Sequence, residues 1–335
     1  MSIHLFLHFT LPILHFHILL KMRPKKALPS SLHFLQLFPA SLLELLKNDP
    51  LRMAGATAFF TTFALPPILV ILIQVLGLIF KTQNIRQQLF LKLSGIIGKE
   101  TVLQIMGVLN AFHDLAQNRL ATIVGFIFLL FVATTLFKVI KSSINQLWTI
   151  RRQQKEDFLE GLQSRLQSVV VIIIAGVLFV IGLTAEGVQA FLSREVFALS
   201  PTLSVYFNSF LSYSISILTV MIWFCVVFRY LPDGRPSWEN ALMGGFVTSI
   251  LFNIGKIILH WLLKYNNITT IYGASASIVL LLLFVFYSSL ILYYGAAFTK
   301  VWIAYKGESI KTLHHSVHYT ISIEHFELNE KVRIK

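Results

Sequence analysis

Long uncharged runs of apolar residues alternate with charged segments along this chain of 335 residues. A bilayer has a hydrocarbon core about 30 Å thick, which a helix crosses with roughly 20 apolar residues. Six runs approach or exceed that length, and we number them in chain order. They cover residues 54–80, 120–137, 166–185, 209–228, 241–263 and 271–299. The pattern predicts six transmembrane helices.

Composition excludes a soluble globular protein. Hydrophobic residues make up 56% of the chain and charged residues 13%, and the mean hydropathy is +0.72. About a quarter of the residues in soluble domains are charged. In lipid the backbone must satisfy its own hydrogen bonds, so spanning segments are helices or barrel strands, and barrel strands of about ten residues are shorter than these runs. The predicted fold class is therefore all-α, a polytopic six-helix membrane bundle.

The net charge of +13 is divided unevenly between the two sides of the predicted membrane. From residue 21 onward, the segments before run one, between runs two and three, between runs four and five, and after run six carry twenty Lys and Arg. The loops on the opposite side carry seven. The positive-inside rule predicts that both termini are cytoplasmic. Since topology explains the basic charge, we expect no nucleic acid as a partner, but membrane lipids and an unknown small solute or ion; an oligomer is compatible with this.

These boundaries divide the chain into three regions after its first residues. Residues 22–53 form a basic, interfacial N-terminal region, residues 54–306 the membrane domain, and residues 307–335 a cytoplasmic tail, expected to be mobile. Residues 1–21 are apolar but lack the charge order and cleavage site of a secretory signal. Either they form a weak seventh membrane segment or translation starts at Met22, which we expect.

Two amphipathic segments flank run one. Ser41-Leu-Leu-Glu44 matches a capping box, and Pro39 is expected to stop any helix upstream, so a short interfacial helix is predicted to begin at Ser41. Residues 81–119 follow run one, with apolar positions at helical spacing on both sides of Gly98. We expect two amphipathic helices there, packed on the bundle as an extracytoplasmic cap.

Lys256 is the one Lys, Arg, Asp or Glu inside a run. A charge near the middle of the bilayer costs about 2.5–3.5 kcal/mol on insertion scales. Lys256 therefore either snorkels to the outer interface or faces a polar cavity near Asn253, between run five and run one or six. The same helical face carries Ala241, Gly245, Ser249 and Asn253. Small residues at this spacing allow close approach of another helix.

Other polar or small residues in the runs allow both a packing and a functional explanation. Pro66-Pro67 predicts a kink or break in run one, which membrane helices tolerate but which could also expose backbone groups to a solute. Run six has small residues near Tyr272 and Gly273 and again from Gly295 to Thr299, which favour helix packing. Hydration at helix ends explains Gln74, Asn145 and Glu186. The candidate cavity residues are Lys256, Asn253, Ser249, Pro66, Pro67, Tyr272 and Gly273.

The sequence contains no recognised catalytic or metal-binding motif. His314, His315 and His318 cluster in the tail, but the chain has no HExxH, HxHxDH or CxxC pattern, no Gly-rich phosphate loop and no G-x-S-x-G elbow. A tail cluster without nearby acidic ligands is usually solvated. We therefore predict that the chain is not an enzyme and uses no metal or cofactor.

Several short motifs follow one another between about residues 40 and 306. They are Thr61-Thr-Phe-Ala-Leu-Pro-Pro67, Asn145-Gln-Leu-Trp148, Leu231-Pro-Asp-Gly-Arg-Pro-Ser-Trp238, the region around Lys256, Tyr272-Gly-Ala274, and Gly295-Ala296 to Thr299. In this order they resemble the YihY/BrkB family of bacterial inner-membrane proteins, long labelled "ribonuclease BN". The resemblance implies six helices, cytoplasmic termini, location in the bacterial inner membrane and a transport-like or envelope-related role.

The chain departs from the family pattern in run six. Where the family usually has Gly-Ala-Glu, this chain has Ala297, and Leu290 and Phe284 replace a common Gln and Trp. Lys256 and the prolines of run one favour a transporter of unknown substrate. The missing carboxylate favours a non-transporting envelope or scaffold protein. The ribonuclease of the family label is a third alternative, for which the sequence offers no ligands.

Charge asymmetry predicts the topology directly. Reporters fused after Lys155 and after Lys306 should read cytoplasmic, and one inserted near Gly98 should read external, because short loops rich in Lys and Arg stay inside. Alkaline phosphatase and green fluorescent protein fusions measure this. An external reading at Lys306 requires an odd number of spans and contradicts the six-helix topology.

Overall fold

The computed structural model describes most of the helical segments of the chain. It covers residues 31–79, 119–153, 201–265, 276–313 and 315–320, with further single residues between 87 and 107 and between 170 and 189. Residues 1–30, and with them the start at Met22, lie outside the described residues. So do Gly98, Tyr272 and Gly273.

Six long helices and four short strands make up the defined elements of the described regions. The helices are α1 (Ser31–Leu46), α2 (Pro50–Ile79), α3 (Arg119–Leu147), α4 (Pro201–Tyr230), α5 (Trp238–Tyr265) and α6 (Ala276–Tyr305). The strands are β1 (Ile150–Arg152), β2 (Gly234–Arg235), β3 (Lys311–Thr312) and β4 (Ser316–His318). The chain is thus mostly helical, and the all-α prediction holds apart from these strands.

Three helices in the described part of the chain are long and apolar enough to cross a membrane. They are Phe207–Tyr230, Trp238–Ile258 and Ile278–Tyr305. Large apolar side chains such as Phe210, Leu218 and Ile254 are exposed on their outer faces. Contiguous apolar surface of this kind is unfavourable in water and is what lipid requires.

Helix α3 is longer than run two because a charge ends an uncharged run without ending a helix. It continues past Lys138 and Lys141 to Leu147. Lys is a good helix former, so these two lysines end the apolar run while the helical backbone continues through them. The last turns of α3 therefore carry polar side chains beyond the apolar run.

The first helix begins earlier than the capping box predicts. α1 starts at Ser31 and continues through Pro39, so the predicted start at Ser41 is wrong. Ser41 is buried inside the helix, and its Oγ donates to the carbonyl of Leu37 at 2.6 Å. Pro39 lacks one backbone donor, but α1 packs along α6 and the hydroxyl of Tyr294 donates to the Phe38 carbonyl at 3.0 Å. Tertiary contacts therefore outweigh the local signal.

Glu44 joins the end of α1 to two other helices through Lys300. The Lys300 Nζ lies 2.7 Å from Glu44 Oε1 and donates to the Leu147 carbonyl at the end of α3, also at 2.7 Å. Burial raises the pKa of the Glu44 carboxyl, but the hydrogen bond and positive charge of Lys300, with a smaller contribution from Lys47, hold that pKa below its ordinary value. The carboxylate is thus charged at neutral pH and joins α1, α3 and α6.

A kink or break was predicted at Pro66-Pro67, and helix α2 is uninterrupted from Pro50 to Ile79, so the break is absent and the kink stays a prediction. The side chains of the two prolines lie outside the described residues. Both α3 and α6 pack against α2. Neighbouring helices can support a helix that has lost backbone donors to proline, and a continuous α2 follows.

Described residues of the predicted cap are helical and partly buried. Phe90, Val102 and Ile105 are buried and share an apolar cluster with Ala58 of α2 and Val285 of α6. Leu91 and Leu103, next to them in the sequence, are exposed. This alternation agrees with amphipathic helices, whereas their separation at Gly98 lies outside the described residues.

The tail expected to be mobile is ordered over its first part. Strand β4 pairs antiparallel with β1, with Ile150 opposite His318, and β3 pairs with β2, with Gly234 opposite Thr312. The Leu313 amide also donates to the Asp233 carbonyl at 2.9 Å. The expectation of a mobile tail is therefore wrong for these strands, because the loops after α3 and α4 offer backbone partners.

Small residues bring α5 into close contact with α4 on one side and α6 on the other, as expected. A Cβ built on Gly245 would lie 2.7 Å from the Met221 carbonyl oxygen of α4. On the α6 side, a Cβ on Gly295 would lie 1.9 Å from Thr248 Oγ1. Any side chain at these two positions would separate the helices.

Gly295→Ala should lower stability by about 1–3 kcal/mol, because the new methyl group overpacks the contact with Thr248. Gly55→Ala is the matched control, since a Cβ there meets nothing within 4 Å. Alanine at Gly55 should be neutral or stabilising by up to about 1 kcal/mol. Thermal unfolding in detergent measures both. Equal melting temperatures for the two variants would contradict the close α5–α6 packing.

Candidate functional site

The Lys256 side chain contacts a polar side chain of α4. Its Nζ donates to Ser216 Oγ at 3.2 Å, and Ser216 Oγ in turn donates to Asn253 Oδ1 at 2.9 Å. The Asn253 side-chain amide donates to the Ser249 carbonyl at 2.9 Å. We call these four residues the Lys256 cluster. Each step joins a donor to an acceptor, so the ammonium is tied to a short chain of neutral polar groups.

The neighbour of Lys256 differs from the one predicted. Ser216 lies on α4, in run four, and not on run one or run six. The reason is geometric: the face of α5 that carries Gly245, Ser249 and Asn253 packs against α4. At 1.5 Å per residue, Lys256 lies about 27 Å from Trp238 and about 14 Å from Tyr265 along α5. The charge is therefore in the half of the helix far from the short strands.

Among the other predicted cavity residues, Ser249 is fully buried and Asn253 nearly so, both within the Lys256 cluster. Pro66 and Pro67 lie on α2, which packs against α3 and α6. Tyr272 and Gly273 lie outside the described residues, so their membership of the site stays a prediction. The structure thus brings together three of the seven predicted residues.

A second polar cluster surrounds Asp233, in the loop between α4 and β2. Asp233 is 2% exposed. Lys141 Nζ lies 2.8 Å from its Oδ1, Arg152 Nε lies 3.5 Å from its Oδ2, and Asn145 Nδ2 donates to Oδ2 at 2.8 Å. The backbone amide of Asp233 donates back to Asn145 Oδ1 at 2.9 Å. We call these four residues the Asp233 cluster.

A cavity of about 500 Å³ opens beside the Asp233 cluster. One face of α3 lines it with residues at helical spacing, and β1, Asp233 and Tyr319 also line it. The lining residues are Lys138, Lys141, Ser142, Asn145, Gln146, Ile150, Arg151, Arg152, Asp233 and Tyr319. Among these described lining residues are four cations and one carboxylate. The described part of the cavity wall is therefore basic.

Sequence reasoning missed the Asp233 cluster. Asn145 was explained by hydration at a helix end, and that explanation is wrong, because both ends of its side-chain amide bond to Asp233. Asn145 and Asp233 stand in two of the family motifs, 88 positions apart. The acidic Asp233, in a loop with Pro and Gly, could have indicated a polar site. Its partners could not be identified from the sequence, because they lie on other elements of the fold.

Neither cluster resembles a metal centre or a hydrolytic site. In the part of the chain that the structure describes, no three His, Cys, Asp or Glu residues lie together as ligands for a metal. The Nε2 of His318 lies 2.8 Å from the Ile310 carbonyl, and His315 is exposed. What the two clusters offer chemically is positive charge with hydrogen-bond donors.

The motif order, the membrane helices and these two clusters can be compared with known proteins. The family described as Virulence factor BrkB matches residues 42–318, well over half of the chain. The chain belongs to the BrkB family. The resemblance to YihY/BrkB proteins is thereby confirmed, and the match extends past α6 through β3 and β4.

Individual relatives of this BrkB protein are distant. The UPF0761 membrane protein of Acinetobacter baylyi is 24% identical over 78% of this chain and 60% of its own length. The UPF0761 membrane protein of Tolumonas auensis is 24% identical over 74% of this chain and 78% of its own length. The one from Bordetella petrii is 28% identical over 73% of this chain and 52% of its own length. The chain thus spans between about half and four-fifths of these relatives. No solved structure matches it. It is an integral membrane protein of the BrkB family.

Asp233→Ala should destabilise the protein by about 3–5 kcal/mol, because it leaves Lys141, whose side chain is 9% exposed, without its counter-ion. Asp49→Asn removes a carboxylate whose side chain is 76% exposed and which pairs with Arg52 at 3.8 Å, so it should change stability by less than about 1 kcal/mol. Thermal unfolding of both purified variants in detergent measures the difference. A melting temperature for Asp233→Ala equal to that of Asp49→Asn would show that the Asp233 cluster carries no stability.

Proposed function

We propose that this BrkB protein is a six-span transporter-like protein of the bacterial inner membrane that passes a small anionic solute. The observation that supports this most is the Lys256 cluster, a cation within an apolar helix whose hydrogen bond goes to a neighbouring helix. Intramembrane ionisable residues that face other helices commonly mark solute or ion pathways. An ammonium with a hydroxyl and an amide beside it would attract an anion.

The arrangement of helices supports the same proposal. Ile257 and Ile258 are exposed toward lipid, whereas the Lys256 ammonium is directed to Ser216 and lies 5.8 Å from the Phe252 ring centre. A lysine that served only as an interfacial anchor would extend its ammonium toward the headgroup region. The small residues of α5 keep α4 near enough for a solute to touch both helices.

The charge distribution supports an orientation. The end of the bundle with the four short strands carries Lys138, Lys141, Arg151 and Arg152, and the positive-inside rule places such segments in the cytoplasm. The Lys256 cluster would then lie in the outer half of the membrane. The solute would meet Lys256 from the outside and the basic cavity from the inside.

A non-transporting envelope or scaffold protein is the second candidate, and one observation favours it. Ala297 stands where the family usually has Glu, and it is fully buried in the apolar core with Ala296 and Trp148. This side of α6 therefore lacks a carboxylate for coupling to protons or cations. A scaffold needs no solute pathway and would be indifferent to charge at Lys256.

Flux across proteoliposomes separates the two candidates. Vesicles with the purified protein should release chloride, inorganic phosphate or succinate several-fold faster than protein-free vesicles. Lys256→Met keeps the length of the side chain but removes its charge, so it should bring flux close to the protein-free rate. Absence of flux for all three anions in the wild type would overturn transport of a small anion and favour the scaffold.

Lys311→Met is the matched control for the loss of one positive charge. Lys311 is exposed on β3, and the backbone pairing of that strand does not depend on its side chain. Its flux should equal that of the wild type, with all three proteins at equal incorporation and with equal melting temperatures. Full flux in Lys256→Met would exclude Lys256 from the pathway.

A further inference from the structure

Two arginines and two aromatic rings lie together where α4 ends and α5 begins. The guanidinium carbon of Arg229 lies 5.2 Å from the centre of the Trp238 ring. That of Arg235 lies 5.5 Å from the centre of the Tyr230 ring. The two rings meet edge to face, with their centres 5.9 Å apart. We call these four residues the arginine–aromatic cluster.

The cluster stands at the ends of two helices that are long and apolar enough to cross a membrane. Tyr230 is the last residue of the apolar segment Phe207–Tyr230, and Trp238 is the first of Trp238–Ile258. Tyr230 is 42% exposed and Trp238 is 49% exposed. Tyr and Trp are enriched where membrane helices leave the hydrocarbon core, because their rings combine an apolar body with a polar group. The cluster is therefore at the depth of the lipid headgroups.

A structural role accounts for only part of the hydrogen-bonding capacity of the two arginines. Arg235 Nη1 donates to the Arg229 carbonyl in the last turn of α4, and Arg229 Nη1 donates to the Pro236 carbonyl. A guanidinium has five N–H donors. Among the described residues, Nε and Nη2 of both arginines make no hydrogen bond, and none of these atoms is fully buried. They can donate to an acceptor that approaches from outside the chain.

The nearby carboxylates of the described residues are engaged with other cations. Asp233 pairs with Lys141 and Arg152, at 2.8 and 3.5 Å. Glu239, which follows Trp238 in the chain, pairs with Lys306 at 2.8 Å. An anion that joined the arginine–aromatic cluster would therefore not have to displace a carboxylate from it.

The two guanidiniums lie close enough to repel each other. Burial and the positive charge of Arg229 hold the pKa of the Arg235 guanidinium below its ordinary value, although Asp233 and Tyr230 act in the opposite direction. A shift of this sign means that the charged form of the side chain is less stable here than in water. A negative group beside the two arginines would offset that cost.

We propose that the arginine–aromatic cluster binds the headgroup phosphate of an anionic phospholipid. A guanidinium presents its N–H donors in a planar fork that matches phosphate oxygens. A lipid fits better than a soluble phosphate, because the exposed rings of Tyr230 and Trp238 would contact its apolar part. With the orientation proposed above, this lipid lies in the inner leaflet. The site shares no residue with the Lys256 cluster, so it stands whether or not the protein transports a solute.

Lipid titration of the purified full chain in detergent tests the site, with occupancy measured by native mass spectrometry. Palmitoyl-oleoyl phosphatidylglycerol is the anionic probe, and phosphatidylcholine with the same acyl chains is the zwitterionic control. Each arginine near an anionic group is expected to raise affinity about fivefold. The wild type should therefore bind the anionic lipid at least about tenfold more tightly than phosphatidylcholine. Equal affinity for the two lipids would overturn the proposal, and this comparison needs no variant.

Competition separates a lipid from a soluble phosphate. Glycerol 3-phosphate carries the phosphate without acyl chains, so it should not displace bound phosphatidylglycerol at equal concentration. Displacement under these conditions would assign the site to a soluble phosphate and overturn the lipid as its occupant.

The double variant Arg229→Gln, Arg235→Gln removes both charges, while the new side-chain amides can still donate to the two backbone carbonyls. It should lose the preference for phosphatidylglycerol and keep the wild-type affinity for phosphatidylcholine. Arg235→Gln alone leaves the contacts of Arg229 with Pro236 and Trp238 in place. This single variant should bind phosphatidylglycerol about fivefold more weakly than the wild type. Wild-type preference in either variant would exclude the cluster as the site.

The matched control, Lys47→Gln with Arg52→Gln, removes two exposed cations at the same end of the bundle. Lys47 follows α1, and Arg52 donates to Gln146 near the end of α3. Their ion pairs with Glu44 and Asp49 are at the surface, so their loss should change stability little. The control should keep the wild-type preference for phosphatidylglycerol. Equal loss of that preference in both double variants would show a general attraction of surface charge and overturn the site.

Discussion

The carboxylate of Asp233, withdrawn from water, holds together segments that are far apart in the sequence. A buried charge is unfavourable unless ion pairs and hydrogen bonds replace its hydration. Asp233 obtains these from Lys141 and Asn145 on α3 and from Arg152 on β1. Its backbone carbonyl accepts the Leu313 amide from the tail. The loop after α4 cannot move away without leaving several buried polar groups unsatisfied, so its position fixes α3, β1 and the tail.

The opposite half of the bundle holds a charged group beside neutral side chains of the described residues. The Lys256 ammonium donates to Ser216 Oγ, and Ser216 Oγ in turn donates to Asn253 Oδ1. Hydrogen bonds from a charged donor are stronger than those between two neutral groups. The Lys256 cluster therefore joins α5 to α4, as the Asp233 cluster joins the loop after α4 to α3.

The helices could be predicted because each is marked by a contiguous run of apolar residues. The polar clusters could not, because their members are far apart in the sequence. Uncharged runs identified α2 through α6, with errors at ends such as that of α3, where helix propensity continues past Lys138 and Lys141. The small residues of α5 correctly indicated close packing. By contrast, the partner of Lys256 depended on which helix packs against α5, and that of Asn145 on a loop 88 positions away. Ser41 failed as a cap signal because α1 is stabilised by contact with α6.

The pairing of the tail with earlier loops has a consequence for biosynthesis. Strand β1 follows α3, yet its partner β4 lies near residue 317, after every defined helix. Chains emerge from the ribosome in order, and segments made first wait for partners made last. Helices α3 and α4 are therefore synthesised long before the strands that pair with the loops after them. A ribosome that stops just after α6 would release a chain with all the defined helices but with β1 and β2 unpaired, and quality-control proteases could recognise these open strand edges.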